Sequence, residues 1–149
     1  MPVLDYARAD IPAPMQFRVL GPDGGAPSLP DLRRLFHGQR VTAARRARIA
    51  RSGRILALCG NRVVGLAAYE RFDRELRVSE VGLDHESACG ADEVANGLLD
   101  ALELACMASG ARRLLLLPGA SLPVDVISRR GYRTIADGAA GTWCEKRFA

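Results

Sequence analysis

One long amphipathic run between two apolar ones constrains this chain more than any other feature. Residues 91–109 place Val94, Leu98, Ala101, Leu102 and Ala105 on one face of a helix. Gly110 follows as a natural C-terminal stop. Upstream, Leu76 to Leu83 reads as a strand. Downstream, Leu114 to Leu117 is a continuous apolar run, as expected of a strand covered on both faces. Strand, helix and strand in this order predict a parallel crossover, and with it an α/β fold.

The flanking segments extend that frame. Met15 to Leu20 is a short strand, after an irregular lead-in over residues 1–14 with three prolines. Gly21 to Pro27 is loop. Ser28-Leu-Pro-Asp31 is a capping box that opens a helix, which Gly38 closes. A second helix runs from Thr42 to Ser52 and stops at Gly53. Arg54 to Cys59 and Arg62 to Glu70 flank Gly60-Asn61, the pattern of a tight hairpin. Gly82 marks a bulge or a close backbone approach. Past Leu117, a helix fits Pro123 to Arg130, closed by Gly131. Strands fit Tyr132 to Ala136 and Thr142 to Arg147. The predicted order is β-α-α-β-β-β-α-β-α-β-β, an α/β sandwich with a mixed sheet in a single domain over residues 15–149.

At 149 residues and 48% apolar content, the chain can bury a real core and is not disordered as a whole. No apolar run reaches the length of a membrane span, and the start lacks a signal-peptide pattern. Both point to a cytoplasmic protein that does not enter a membrane. Cys59, Cys89, Cys106 and Cys144 form no Cys-x-x-Cys pair and have no metal-ligand spacing. In a reducing compartment they are expected to be small buried hydrophobes rather than disulfides. Cys89 sits beside a helix start, which can activate a thiol, but neighbouring carboxylates oppose that.

The net charge of +4 is uneven. Residues 31–54 hold eight arginines against one aspartate, a net of +7, so the remainder carries −3. A solvated helical face is the default reading. An acidic partner at these helices, or the phosphates of a ligand, is the alternative. No aromatic follows Phe36 in the block, which argues against a nucleic-acid surface.

The element order resembles that of the GNAT N-acetyltransferases from about Met15 to Phe148. Val126-Ile127-Ser-Arg-Arg-Gly131-Tyr132 looks like that family's Phe-Tyr-x-x-x-Gly-Phe signature. Trp143-Cys-Glu-Lys146-Arg-Phe148 looks like its closing strand, and Leu98-Leu99 matches the apolar pair after its glycine loop. That loop, Gln/Arg-x-x-Gly-x-Gly/Ala, falls on residues 90–95. Gly90 stands at the Gln/Arg position, Glu93 at the first Gly, and Ala95 fits.

The resemblance implies an acetyl-CoA-dependent N-acyltransferase acting on a small-molecule or protein amine. It implies that Val81 and Leu83 on the strand, with Gly90, Ala91, Val94, Ala95 and Asn96 at the loop and helix start, form the acetyl-CoA site. Asp92 and Glu93 occupy the first helical turn, where carboxylates favour the helix dipole and repel phosphates. Ile127 stands at the family's usual general-acid Tyr, Tyr132 is expected to face the core, and Ala120 or Ser121 stands near a usual Asn. Val81 and Leu83 alternate with Glu80 and Gly82, so Glu80 points to the opposite face of the strand. Glu80 is the candidate general base, with His85 on the following loop as a second. His37 compensates a helix dipole. Arg112 and Arg113 contact ligand phosphates or solvent. The alternative function is a non-catalytic GNAT-like binding or regulatory protein with a weakened acetyl-CoA site. A homodimer is compatible with either.

Overall fold

The computed structural model describes residues 14–22, 24, 27–37, 39–117, 122–138 and 141–148. Eleven elements are formed over these residues: β1 (Met15–Leu20), α1 (Leu29–Leu35), α2 (Ala43–Arg51), β2 (Gly53–Cys59), β3 (Arg62–Phe72), β4 (Glu75–Leu83), α3 (Ala91–Ala108), β5 (Arg113–Leu116), α4 (Val124–Arg129), β6 (Arg133–Gly138) and β7 (Gly141–Arg147). The order is the predicted one. The lead-in, Gly38, Ala120 and Ser121 lie outside the described residues.

Local chemistry explains the helix starts. The Ser28 hydroxyl accepts from the Asp31 amide at 3.2 Å, and the Thr42 hydroxyl accepts from the Arg45 amide at 3.1 Å. Each satisfies one amide that the helix itself leaves without a partner. By contrast, α3 begins at Gly90, whose φ of +67° suits only a residue without Cβ and which offers no capping side chain. The first turn of α3 is compensated only by Asp92 and Glu93.

The seven strands form one sheet in the order β1-β2-β3-β4-β5-β7-β6. Neighbours β1 through β4 are antiparallel; β5 lies parallel to β4, as the crossover predicts. β7 then pairs antiparallel to both β5 and β6. α3 covers one face over Val64, Ala67, Leu76, Val78, Val81 and Leu83, with α4 beside it. α1 and α2 cover the other over Leu66 and Ala68, burying Leu32, Leu35, Phe36 and Ile49. The result is a helix–sheet–helix sandwich.

Two glycines set how closely the layers approach. A Cβ on Gly65 would lie 2.7 Å from Val94 Cγ1, so the bare backbone lets α3 settle on β3. A Cβ on Gly82 would meet Leu35 Cβ at 3.0 Å and the Leu35 carbonyl at 3.1 Å. Of the two expectations for Gly82, close approach holds. The bulge sits earlier, where Tyr69 pairs with Val78 but Ala68 pairs with Glu80, leaving Ser79 as the extra residue.

The cysteine expectation requires correction. Cys59 and Cys89 form a disulfide with their Cα atoms 6.8 Å apart. The 30-residue spacing carried no signal of this. The β2–β3 hairpin and the return of β4 bring the end of β2 beside the residue that precedes α3. Cys106 and Cys144 are free and buried, as expected.

Candidate functional site

The bulge at Ser79 coincides with the place where β4 loses its neighbour. The β4–β5 ladder ends at the Val78–Leu116 pair, followed by one bond from the Leu117 amide to the Val78 carbonyl at 3.0 Å. β4 continues to Leu83. Among the described residues no strand pairs with its β5-facing edge beyond Val78. Peptide groups along that edge are therefore available to an extended ligand. A cavity of about 530 Å³ opens at the divergence, bordered by Ser79, Glu80 and Val81 of β4 and by Leu117. Leu122, Val124 and Ile127 form an apolar wall, and Thr134, Thr142 and Cys144 line the side towards β6 and β7.

Glu80 borders this cavity as the alternation implied, yet it is only 7% exposed and does not stand alone. Arg45 Nε lies 2.6 Å from Glu80 Oε2, and Arg48 Nη2 lies 3.5 Å from Oε1. Arg45 is itself anchored by Gln39 Oε1 at 2.9 Å, the Arg40 carbonyl at 3.3 Å and the Phe36 ring at 4.3 Å. The candidate base is thus a carboxylate fixed by two guanidiniums from α2. His85 is exposed on the turn after β4 and is absent from the cavity wall. His37 is exposed just beyond α1.

The basic block reads differently in three dimensions. Arg54, taken with its neighbours as solvated, is fully buried. Its Nη1 donates to the carbonyls of Ile49 (3.1 Å), Ala50 (2.7 Å) and Ser52 (3.1 Å) at the C-terminal end of α2. A cation there offsets the partial negative charge of the helix end. Arg34 bonds Asp31, Asp84 and the Val63 carbonyl. With Arg45 and Arg48 on Glu80, half of the eight arginines serve the protein's own interior. The reading of the whole block as a free docking face for an acidic partner gives way accordingly.

Several groups proposed for acetyl-CoA present backbone rather than side chain. Leu83 on β4 and Val94 and Ala95 on α3 are fully buried in the core, so their side chains do not meet a ligand, and the Val94 amide is already given to the Gly90 carbonyl at 3.2 Å. Val81 reaches the cavity. Gly90 is exposed and Ala91 partly so. The amides of Ala91, Asp92 and Glu93 are the ones that α3 cannot satisfy. Asn96 donates to the Asp92 carbonyl at 2.9 Å and accepts from Arg130 at 3.2 Å, so it braces the first turns. Asp92 and Glu93 are exposed. Arg112 is exposed, while Arg113 bonds Glu145 at 2.5 Å.

Asp84 and Glu103 are among the buried carboxylates that escaped the sequence reading. Asp84, at the end of β4, accepts from Arg34 and Arg62 at 3.0–3.2 Å and from the Glu86 amide at 3.1 Å. Glu103 on α3 accepts from Tyr132 Oη at 3.0 Å, Lys146 Nζ at 2.8 Å and Arg130 at 3.1 Å. Burial, reinforced by Glu103, pushes the Tyr132 phenol far above its usual range. Tyr132 therefore stays protonated and gives its hydrogen to Glu103 rather than to the cavity. Burial and Glu103 also push the Cys106 thiol up, which leaves it unreactive. The only available signal was compositional: a Glu on the helix and a Lys near the chain's end, with no local pattern to join them.

No protein-family model and no curated protein matches the chain. Solved structures do. N-acetylglutamate synthase from Neisseria gonorrhoeae, complexed with coenzyme A and N-acetyl-glutamate, superposes with a TM-score of 0.67 at 14% identity. The match covers 92% of this chain and 36% of that one, so the chain spans about a third of the synthase's length. The PaiA N-acetyltransferase from Thermoplasma acidophilum, in complex with coenzyme A, matches with a TM-score of 0.66 at 11% identity, over 91% of this chain and 99% of that one. A probable acetyltransferase from Staphylococcus epidermidis gives 0.68 at 10% identity, over 91% and 100%. The chain has the GNAT acetyltransferase fold.

Proposed function

We propose that this protein is an acyl-CoA-dependent N-acyltransferase, using acetyl-CoA to acylate a primary amine. The observation that carries the reading is the parting of β4 from β5 at the Ser79 bulge, with a carboxylate on the wall of the cavity that opens there. The peptide groups on the β5-facing edge of β4 beyond Val78 suit the amide-bearing arm of CoA, and a backbone N–H at the thioester oxygen would stabilise charge developing there. The free amides of Ala91, Asp92 and Glu93 suit its pyrophosphate. The residues present fit the cosubstrate in shape, while Asp92 and Glu93 weaken its phosphate end.

In this scheme the amine nitrogen attacks the thioester carbonyl carbon, the C–N bond forms, and the C–S bond breaks to release CoA as thiolate. Glu80 takes the proton from the amine, directly or through water. Ile127, in the apolar wall, has no proton to give. The thiolate is thus protonated by solvent rather than by a residue at that position. His85 lies on the exposed turn and serves, at most, the route to solvent.

Calorimetry with acetyl-CoA and a thiol-release assay with a panel of amines test the proposal together. Binding followed by amine-dependent thiol release supports it. A second reading is favoured by the two carboxylates at the start of α3: a GNAT-fold protein that binds a ligand or partner without catalysis. Absence of acetyl-CoA binding and of thiol release would select that reading.

A further inference from the structure

The cavity wall carries an unusual charge arrangement. Among the described residues that line it, only Arg45 and Glu80 are charged at neutral pH. Glu80 is shared between Arg45 and Arg48, so the three side chains sum to +1 around a single carboxylate. Arg48 lies outside the lining but reaches Glu80 from the rim, with half its side chain in solvent.

Arg45 also has capacity to spare. A guanidinium has five N–H donors. Among the described residues, Nε serves Glu80, Nη1 the Arg40 carbonyl and Nη2 Gln39, one acceptor each. Two N–H groups are left. The head is largely buried, and planar two-pronged pairing with a carboxylate is the geometry that guanidinium favours. The rest of the wall is neutral: the Gln39 amide, the Cys144 thiol, hydroxyls of Ser79, Ser128, Tyr132, Thr134 and Thr142, and apolar carbons.

We infer that the acceptor is an amine that carries its own carboxylate a few bonds from the nitrogen. This inference rests on the transferase reading. An amine alone arrives as a cation and would raise the local sum to +2, with Glu80 already claimed by two guanidiniums. A diamine or a lysine side chain on a basic peptide does so more strongly. An amino acid brings zero net charge. Its carboxylate takes the free N–H groups of Arg45, which loosens that residue's hold on Glu80, and its nitrogen is left facing the Glu80 carboxylate. The same contact thereby recruits the substrate and frees the base. A cavity of about 530 Å³ holds the end of the CoA arm and a small molecule of this class.

Matched acceptors decide the point. kcat/KM is measured by thiol release for a set of α- and ω-amino acids, their carboxamides, and diamines of similar length. The carboxylate forms are expected to exceed their carboxamides by at least about tenfold, and the diamines by more, the discrimination a buried charged pair can supply. Arg45→Gln should raise KM for the acids and not for the carboxamides, whose charge it no longer opposes, erasing the preference. A merely structural Arg45 would lower turnover of both classes together. Should Arg45→Gln fail to fold, the comparison on the unmodified protein still decides. Carboxamides or diamines used as well as the acids would overturn this inference and leave the transferase reading standing. Acetyl-CoA turnover with no member of either class would overturn both.

Discussion

Neutralising the first turn of α3 should move affinity and stability in opposite directions. Asp92 and Glu93 are exposed, so their interaction with a ligand's phosphates passes through water. A pair of unit charges at roughly 7 Å in water interacts by about 0.6 kcal/mol. Two carboxylates against a pyrophosphate of about two charges then oppose binding by roughly 2.4 kcal/mol before screening, and physiological salt about halves that. The double variant Asp92→Asn/Glu93→Gln should therefore bind acetyl-CoA about eightfold more tightly near physiological salt, and by a larger factor in dilute buffer. Its folding stability should fall. Gly90 supplies no cap, and each carboxylate contributes about 0.3–1 kcal/mol against the helix dipole. Calorimetry at two ionic strengths and a denaturant melt read both quantities. Affinity unchanged in dilute buffer, together with lowered stability, would refute the reasoning. It would show that the carboxylates act on the helix but that no phosphate lies at its start.

Three further outcomes follow from the same geometry. Glu80→Gln should lower amine-dependent turnover by about 10²–10⁴-fold while the protein still folds, measured by thiol release; full activity would remove Glu80 from the mechanism. Arg54→Ala should cost about 1–3 kcal/mol in a urea melt, because three carbonyls at the end of α2 lose a buried charged donor; a loss well under about 1 kcal/mol would mean that water replaces it. Arg133 above all, then Arg113 and Arg147, hold Glu145 below its ordinary 4.5 against the contrary push of burial. A folded pKa below the unfolded one contributes stability that is complete above pH 4.5 and is lost as pH falls below it. Glu145→Gln should thus flatten the acid side of a stability–pH profile, and an unchanged acid limb would count against the assignment.

The parts of this molecule that local chemistry dictates were legible in the sequence. The spacing of Val94, Leu98 and Leu102 announced α3. The apolar runs on either side announced β4 and β5 as parallel neighbours. Ser28 and Gly60-Asn61 marked a helix start and a hairpin. Simple alternation also placed Glu80 on the face opposite Val81. What surrounds Glu80 was not legible, since Arg45 and Arg48 lie 35 and 32 residues away and meet it only after α2 crosses the sheet. Arg54 shows the limit of charge counting: within a basic block it looked like another solvated side chain, but β2 carries it under the end of α2. The Cys59–Cys89 bond and the Glu103 cluster are likewise products of tertiary closure. No periodicity encodes a contact between the end of one hairpin and the start of a distant helix.

Lys146 gives the molecule an unusual chemical silence. It is the chain's one lysine, set against 20 arginines, and its ammonium is held by Glu103 with only 26% of the side chain exposed. Guanidinium groups stay charged and are poor nucleophiles at neutral pH, so the remaining cations offer nothing to acyl donors. A protein proposed to pass acyl groups to amines thus presents almost no side-chain amine of its own to be acylated by mistake. The same scarcity makes Lys146 the one side chain on which an amine-reactive label reports: its modification should be slow while Glu103, Tyr132 and Arg130 remain assembled around it, and should quicken when that cluster opens.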